Sequence, residues 1–259
     1  MYEKLVADVK FLEGDYKTAA QMYLEGAREG DALASFNYGY CLWRGYGVER
    51  DPYEAKSFFA FSREMEGGEA CYNLAMLYLH GDKITKDYKK ALEYMTLSAN
   101  QGCIEAQLYL GMAYTSGCMF EPDVVGICMI PAHKPEYRAM YAELEGFVPD
   151  IDEFERDEDL RYSAVKQDGR AAFEWFQTAA RHDPTYVEEL VAKGKYLYAR
   201  CYVDGLGTDF DRDKSIRLMA LAGKAGSAEA LLYFQENGIT AEMISGITKP
   251  KKLTGGKRS

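Results

Sequence analysis

One pair of residues has the types and spacing of a catalytic nucleophile and its base. Ser163 and Lys166 form an S-x-x-K motif, in which a lysine can take the proton of a serine hydroxyl that attacks an acyl group. Enzymes that use this motif also carry S-D-N and K-T-G motifs, and the sequence contains neither. A chance match on a surface helix therefore explains the motif. Hydrolase-like or β-lactam-interacting activity through Ser163 and Lys166 is the lesser alternative.

Other catalytic signatures are absent from the sequence. It has no phosphate-binding G-x-x-x-x-G-K-[ST] loop, no H-E-x-x-H zinc motif and no G-x-S-x-G nucleophile elbow. The three histidines lie far apart, and the six cysteines form no C-x-x-C pair, which favours reduced thiols over a disulfide framework. We therefore expect no enzymatic activity, no cofactor and no metal site.

The charge balance limits the classes of partner. The 259 residues include 31 basic and 41 acidic side chains, a net charge of −10, which excludes generic nucleic-acid binding through the body of the protein. No apolar run approaches the roughly 18 residues that a membrane span needs, and no basic and apolar leader follows Met1. We expect a cytoplasmic protein, or a periplasmic one only if a leader was removed.

Four columns of identical residues recur every 36 positions, which is the signature of a repeat array. The columns are Asp15, Asp51 and Asp87; Ala19, Ala55 and Ala91; Ala34, Ala70 and Ala106; and Gly45, Gly81 and Gly117. Chance could produce one such column of small or acidic residues, but hardly four in one register. A further column carries large apolar residues at Tyr23, Phe59 and Met95.

Each unit is predicted to be two helices joined by a turn. Apolar residues recur at helical spacing in residues 32–44, and Gly45 then ends the helix because glycine adopts the left-handed conformation of a C-terminal cap. Asp51 is the predicted N-cap of the second helix, with Pro52 at its first position and Glu54 completing a capping box. Such a pair cannot cover its own apolar faces, so neighbouring pairs must stack.

The register resumes after an interruption. Asp168 returns to the aspartate column, and Gly205 and Asp211 repeat the spacing of the turn glycine and the N-cap. We count five helical pairs, the first in residues 2–30 and the last in residues 186–225.

The pairs form one predicted solenoid domain, residues 1–248. Residues 227–246 should form one or two closing helices with a polar outer face, as terminal repeats require. Residues 249–259 carry five basic and no acidic side chains and are predicted to be a disordered tail.

The pattern A-x4-G-x5-G-x-G-V-x2-D-x3-A-x2-F-F, from Ala34 to Phe59, resembles the Sel1-like repeat, a relative of the tetratricopeptide repeat. The resemblance covers about four fifths of the chain, although Lys83 replaces the second turn glycine of one unit and Ser215 the alanine of another. It implies an all-α, right-handed superhelical solenoid. Proteins of that family act mainly as adaptors and scaffolds, and bacterial members are implicated in signalling, host interaction and envelope processes.

An insertion, residues 118–167, separates two of the units. Gly117 lies 51 positions before the next aspartate of the column instead of six, so the insertion adds 51 − 6 = 45 residues. Its apolar content indicates partial order. It also carries an acidic run: Asp150, Asp152, Glu153, Glu155, Asp157, Glu158 and Asp159. The run is either a solvated loop near a helix N-terminus, a docking surface for a basic segment or, with the weakest support, a calcium loop.

Function is then expected from the surface of the stack. By analogy with tetratricopeptide repeats, the first helix of each pair lines the concave face. The side chains expected there are Tyr40, Trp43, Arg44, Tyr72, Met76, His80, Met112, Tyr196, Arg200 and Asp204. These residue types are enriched at interfaces, and burial between repeats is the alternative, above all for Tyr40, Tyr72 and Met76.

We predict a non-enzymatic scaffold or adaptor that binds a protein or peptide with basic or aromatic character. The other class considered is an immunity-type or envelope-associated binding protein.

Overall fold

The computed structural model describes residues 4–65, 68–81, 83–117, 119, 165–183 and 188–248. These residues form twelve α-helices and no β-strand. The helices are α1 Lys4–Leu12, α2 Tyr16–Arg28, α3 Ala32–Arg44, α4 Pro52–Phe61, α5 Glu69–His80, α6 Tyr88–Asn100, α7 Ile104–Ser116, α8 Gly169–Ala179, α9 Glu188–Asp204, α10 Arg212–Lys224, α11 Ala228–Glu236 and α12 Ala241–Thr248. None of these helices is long and apolar enough to cross a bilayer.

The first ten helices pair as five successive hairpins, α1 with α2 through α9 with α10. The second helix of each hairpin also packs against the first helix of the next hairpin. Because each hairpin contacts its sequence neighbours in this way, the apolar faces are buried between hairpins. The predicted all-α solenoid of five helical pairs is confirmed.

Aspartates begin the second helices, as the 36-residue column predicts. The carboxylate of Asp51 accepts hydrogen bonds from the backbone N–H groups of Tyr53 and Glu54, at 3.0 and 3.1 Å. The N–H of Asp51 itself donates to the carbonyl of Leu42 at 2.8 Å, so that carbonyl takes the place of the Glu54 side chain in the expected capping box. The remaining four aspartates of the column cap their helices in the same way: Asp15, Asp87, Asp168 and Asp211.

The turn between α3 and α4 fixes one hairpin against the previous one. Gly45 ends α3 with a φ of 80°, which confirms the predicted left-handed cap. The ring of Tyr46 then stacks on that of Tyr16, with centroids 4.8 Å apart. The second turn glycine, Gly47, also has a positive φ, and Lys83 at the equivalent position of the next turn adopts a φ of 50°.

Small residues in the first helices let the second helices approach closely. A Cβ on Gly39 would lie 3.0 Å from the Cβ of Phe58 and 3.1 Å from the ring of Phe59. A Cβ on Gly111 would overlap the ring of Phe176. The glycines thus set the separation of the two helices in α3/α4 and in α7/α8.

The described residues at the two ends of the insertion occupy the same positions as in an ordinary turn between paired helices. Met119 is 1% exposed and Val165 is 4% exposed, and both belong to the main core. Val165 stands three residues before the capping aspartate, as Val48 and Ile84 do in other turns. The N–H of Asp168 donates to the carbonyl of Tyr114 at 2.9 Å, which repeats the bond made by Asp51. The insertion therefore leaves the repeat register unchanged.

The closing helices are α11 and α12, as predicted, but their exposed side chains are not all polar. Leu231 is 57% exposed, Leu232 is 53% exposed and Met243 is 39% exposed. The expectation of a polar outer face is therefore only partly met: Gln235, Glu236 and Glu242 are exposed too, but these three apolar side chains share the surface with them.

Candidate interaction surface

The ten predicted contact residues lie on the first helices of hairpins two to five, and the glycine that ends each helix fixes their register. These glycines are Gly45, Gly81, Gly117 and Gly205. The residues one position before the glycine are Arg44, His80 and Asp204, and Trp43 lies two positions before it. The residues five positions before the glycine are Tyr40, Met76, Met112 and Arg200. The residues nine positions before it are Tyr72 and Tyr196.

Four of the ten side chains lie in the hydrophobic core. Tyr40 and Met76 are 0% exposed, and Trp43 and Tyr72 are 4% exposed. A folded chain does not offer them to a partner, so the alternative of burial in the core applies to these four. The candidate surface is corrected by removing them.

Packing of the first helix on the second explains the burial of Trp43. Its ring meets that of Phe59 on α4 in an edge-to-face contact, with centroids 5.9 Å apart. Leu79 stands at the equivalent position of the next hairpin and is also buried. Apolar residues at this position in both hairpins are the sequence signal for a core position, although Thr115 takes the same position in the hairpin after them.

The column five positions before the glycine becomes more accessible toward the last hairpins. In the column five positions before the glycine, Tyr40 and Met76 are buried, whereas Met112 on α7 and Arg200 on α9 are half-buried. The helices α7 and α9 contact each other. The accessible part of this column therefore lies on two neighbouring first helices of hairpins four and five.

The α9 polar row consists of Tyr196, Arg200 and Asp204, which follow one another at intervals of four residues. The guanidinium of Arg200 donates to the Tyr196 hydroxyl at 3.2 Å through one terminal nitrogen. Its Nε and its other terminal nitrogen donate to the carboxylate of Asp204, each at 3.2 Å. The structure thus brings three of the predicted residues together as one connected row.

The residues of the row hold one another in place and remain partly accessible to solvent. The side chains of Arg200 and Asp204 are 38% and 49% exposed, so their ion pair contributes only a few tenths of a kcal/mol to stability. Arg200 has five N–H donors, and three of them serve Tyr196 and Asp204 within the described part of the chain. The other two donors make no hydrogen bond to a described residue.

The other three residues lie at or near the ends of their helices. Arg44 is exposed at the end of α3, and His80 is half-buried at the end of α5. Ser116, exposed at the end of α7, is the fourth member of the column that also contains Asp204. Sequence reasoning missed Ser116, although the repeat register alone would have found it.

Several predicted features lie outside the described residues. These are Ser163 of the S-x-x-K motif, the acidic run of residues 150–159 and the basic tail of residues 249–259. Lys166 is described and is exposed. Among the residues that the structure describes, no group of three or more His, Cys, Asp or Glu side chains could hold a metal ion.

The buried thiols give a prediction about reactivity. Burial raises the pKa of the Cys41, Cys71 and Cys201 thiols to about 12 each. Because the thiolate is the reactive form, these three cysteines should resist alkylation by iodoacetamide in the folded protein near about pH 8. They should react after denaturation. Peptide mass spectrometry measures both states, and equal labelling of these three in both would contradict the prediction.

Comparisons with known proteins agree with the described repeats. A family model described as Sel1 repeat matches residues 32–64, 68–103, 161–184 and 192–227. The chain is similar to the crystal structure of a Sel1 repeat protein from Oxalobacter formigenes, with 21% identity, 84% of this chain and 68% of that chain covered, and a TM-score of 0.55.

A second similar structure is c5321, a protective antigen present in uropathogenic Escherichia coli strains that displays an SLR fold. It is 19% identical, with 90% of this chain and 55% of that chain covered and a TM-score of 0.37. At 21% identity, the likeness to the Oxalobacter structure extends to the fold alone.

Proposed function

We propose, from the premise that this chain belongs to the family of Sel1-repeat proteins, that it is a protein-binding scaffold whose recognition surface centres on hairpins four and five. Proteins built from Sel1 repeats are typically non-enzymatic interaction modules. The observation that carries the proposal for this chain is the α9 polar row, where tyrosine, arginine and aspartate side chains are connected and solvent-accessible. Tyrosine and arginine are the residue types most often found at the energetic centre of protein interfaces.

The chemistry of the row suggests what a bound segment would present. The remaining N–H donors of Arg200 fit carbonyl or carboxylate oxygens of a partner, and the half-exposed carboxylate of Asp204 fits a basic side chain. Met112 takes the register position of Arg200 on helix α7, which contacts α9, and its side chain could offer an adaptable apolar contact. A peptide segment that combines a basic and an apolar or aromatic side chain is the ligand that this surface favours.

The acidic run of residues 150–159 is a second proposed contact for a basic segment. The insertion carries 12 acidic and 5 basic residues, so it would attract a basic partner over several ångströms and raise the association rate at low salt. Deleting residues 120–164 joins Met119 to Val165 and leaves six positions from Gly117 to Asp168, the length found from Gly81 to Asp87. Such a variant separates the contribution of the insertion from that of the solenoid.

The test is affinity capture followed by a binding measurement. The full chain is immobilised, proteins from the native host that it retains are identified by mass spectrometry, and their affinity is then measured for wild type and for a Tyr196→Ala, Arg200→Ala double variant. Loss of two interface residues of these types should weaken binding by at least about tenfold.

A matched control is Arg170→Ala on the second helix α8. Arg170 also pairs with a carboxylate four residues on, Glu174, at 2.7 Å, and its side chain is 76% exposed. Its loss should leave partner affinity unchanged. A partner that binds wild type and the double variant equally, with circular dichroism showing both folded, would remove the row from the recognition surface.

A further inference from the structure

The helix α11 begins in the same way as the first helix of a hairpin. Its N-cap residue, Ser227, donates its backbone N–H to the carbonyl five residues earlier at 3.0 Å. Asp31, the N-cap residue of α3, makes the same bond at 3.0 Å. In each helix an alanine then follows three residues after the cap, Ala230 in α11 and Ala34 in α3. The columns of the first helices therefore extend onto α11.

An ion pair joins α9 and α11 at corresponding positions of their columns. Gly194 of α9 and Ala230 of α11 both belong to the column of Ala34, and the residues directly before them are Lys193 and Glu229. The ammonium of Lys193 donates to the carboxylate of Glu229 at 3.0 Å. Corresponding side chains of the two helices thus lie beside each other at this level.

Glu236 is the counterpart on α11 of Arg200 in the α9 polar row. Glu236 lies seven residues after Glu229, and Arg200 lies seven residues after Lys193. Because seven residues complete almost two helical turns, each side chain returns to the side of its helix that carries the ion pair. Glu236 is exposed, and no ion pair with a described residue engages its carboxylate. It therefore adds an uncompensated negative charge next to the row.

Two larger side chains lie one turn before this charge. Leu197 on α9 and Tyr233 on α11 stand three residues before Arg200 and Glu236, so they also correspond to each other. Both are half-buried, and the ring of Tyr233 is packed on that of Phe234, with centroids 6.4 Å apart. Each leaves part of its apolar surface to solvent. Leu197, Tyr233 and Glu236 are called the α9–α11 patch.

We propose that the α9–α11 patch selects the sequence of the segment that the scaffold binds. A lysine or arginine of the segment pairs with Glu236, and an apolar or aromatic side chain within two residues of it packs on Leu197 and Tyr233. A basic side chain is favoured because it compensates the charge of Glu236, whereas an acidic one would be repelled.

The spacing of the patch fits a segment in extended conformation. The three helical residues from Tyr233 to Glu236 rise about 4.5 Å, which is less than the roughly 6.8 Å that two residues of an extended chain span. The inference rests on the proposed scaffold function. It goes beyond that function by naming the residues that set specificity and the order of side chains that they recognise.

The test is a selection of short random peptides, displayed on phage, against the immobilised full chain. Wild type should enrich peptides with a lysine or arginine within two residues of an apolar or aromatic residue. The Glu236→Lys variant should enrich aspartate or glutamate at the basic position instead, because the charge that the peptide meets is reversed. A purely structural role of Glu236 would not change the sign of the selected charge.

The affinity of one peptide enriched by wild type is then measured by fluorescence anisotropy after its synthesis. Glu236→Lys should weaken its binding by at least about tenfold, since repulsion replaces attraction. Glu236→Gln should weaken it less, because the variant loses the attraction without adding repulsion. Both effects should shrink at high salt, which screens exposed charges.

Glu64→Lys is the matched control, because the Glu64 side chain is 80% exposed after α4 and the variant has the same change of net charge. It should select and bind peptides as wild type does, and circular dichroism should show all variants folded. Enriched peptides without a basic preference, or a preference that Glu236→Lys leaves unchanged, would overturn the inference but not the scaffold function. A wild type that enriches no sequence would overturn both.

Discussion

Gly47→Ala is expected to lower the free energy of unfolding by about 3 kcal/mol. Gly47 has a φ of 69°, a left-handed conformation that costs an L-residue about 1–2 kcal/mol. A Cβ at this position would also overlap the backbone carbonyl of Tyr16, at the start of α2. Since a backbone group cannot rotate away, either the turn or the preceding hairpin must shift. Urea unfolding followed by circular dichroism measures the change.

Gly14→Ala separates the two causes. Gly14 has a φ of 82°, but no heavy atom lies within 4 Å of the place where its Cβ would be. This variant should therefore lose only the conformational part, about 1–2 kcal/mol. Equal losses for Gly14→Ala and Gly47→Ala would show that the approach of the turn to Tyr16 contributes nothing to stability.

Phe59→Ala is expected to lower the free energy of unfolding by about 4 kcal/mol, the middle of the range for a buried aromatic residue. Phe59 is 0% exposed. Its ring centroid lies 5.7 Å from that of Phe36 and 5.9 Å from that of Trp43. Truncation would leave a cavity in the middle of the α3/α4 hairpin, where Gly39 offers no side chain to fill it.

Phe61→Ala is the control for that cavity. Phe61 lies two residues further along α4 and is 58% exposed, so its truncation should change the free energy of unfolding by less than about 0.5 kcal/mol. Alanine has the higher helix preference, so a loss at either site cannot come from that preference, and comparable losses at Phe59 and Phe61 would contradict the packing of α3 on α4 as the source of the effect. Thermal and urea unfolding should rank the two variants in the same order.

The repeat register predicted the fold because the residues that define it act locally. An aspartate that caps a helix and a glycine that ends one depend on a few neighbouring backbone groups, so Asp51 and Gly45 could be assigned from spacing alone. Lys83 is the informative exception. It occupies a glycine position with a positive φ, and the turn keeps its closing hydrogen bond, since the N–H of Asp87 donates to the carbonyl of Tyr78 at 3.1 Å as the N–H of Asp51 does to that of Leu42.

Exposure was harder to predict than secondary structure. Residues 34–43 of α3 are buried on every side of the helix, so helical periodicity could not mark a free face. Trp43 was expected at the surface because it lies at a helix end, but its column is apolar in the next hairpin. Arg200 could be identified as accessible because arginine replaces tyrosine and methionine in its column. The exposure of Leu231 and Leu232 on α11 could not be predicted from the sequence, because it depends on which helices pack against α11.

The turn that holds Met119 and Val165 in the core has a consequence for how this molecule can change. Both residues are buried at the two ends of the insertion. Val165 lies three positions before a capping aspartate, as Val48 and Ile84 do in other turns. Through closure entropy alone, doubling the length of such a loop disfavours the native state by only about 0.6 kcal/mol. This junction is therefore an acceptor position for grafted sequences, where a new recognition element could be exchanged while the scaffold stays as it is.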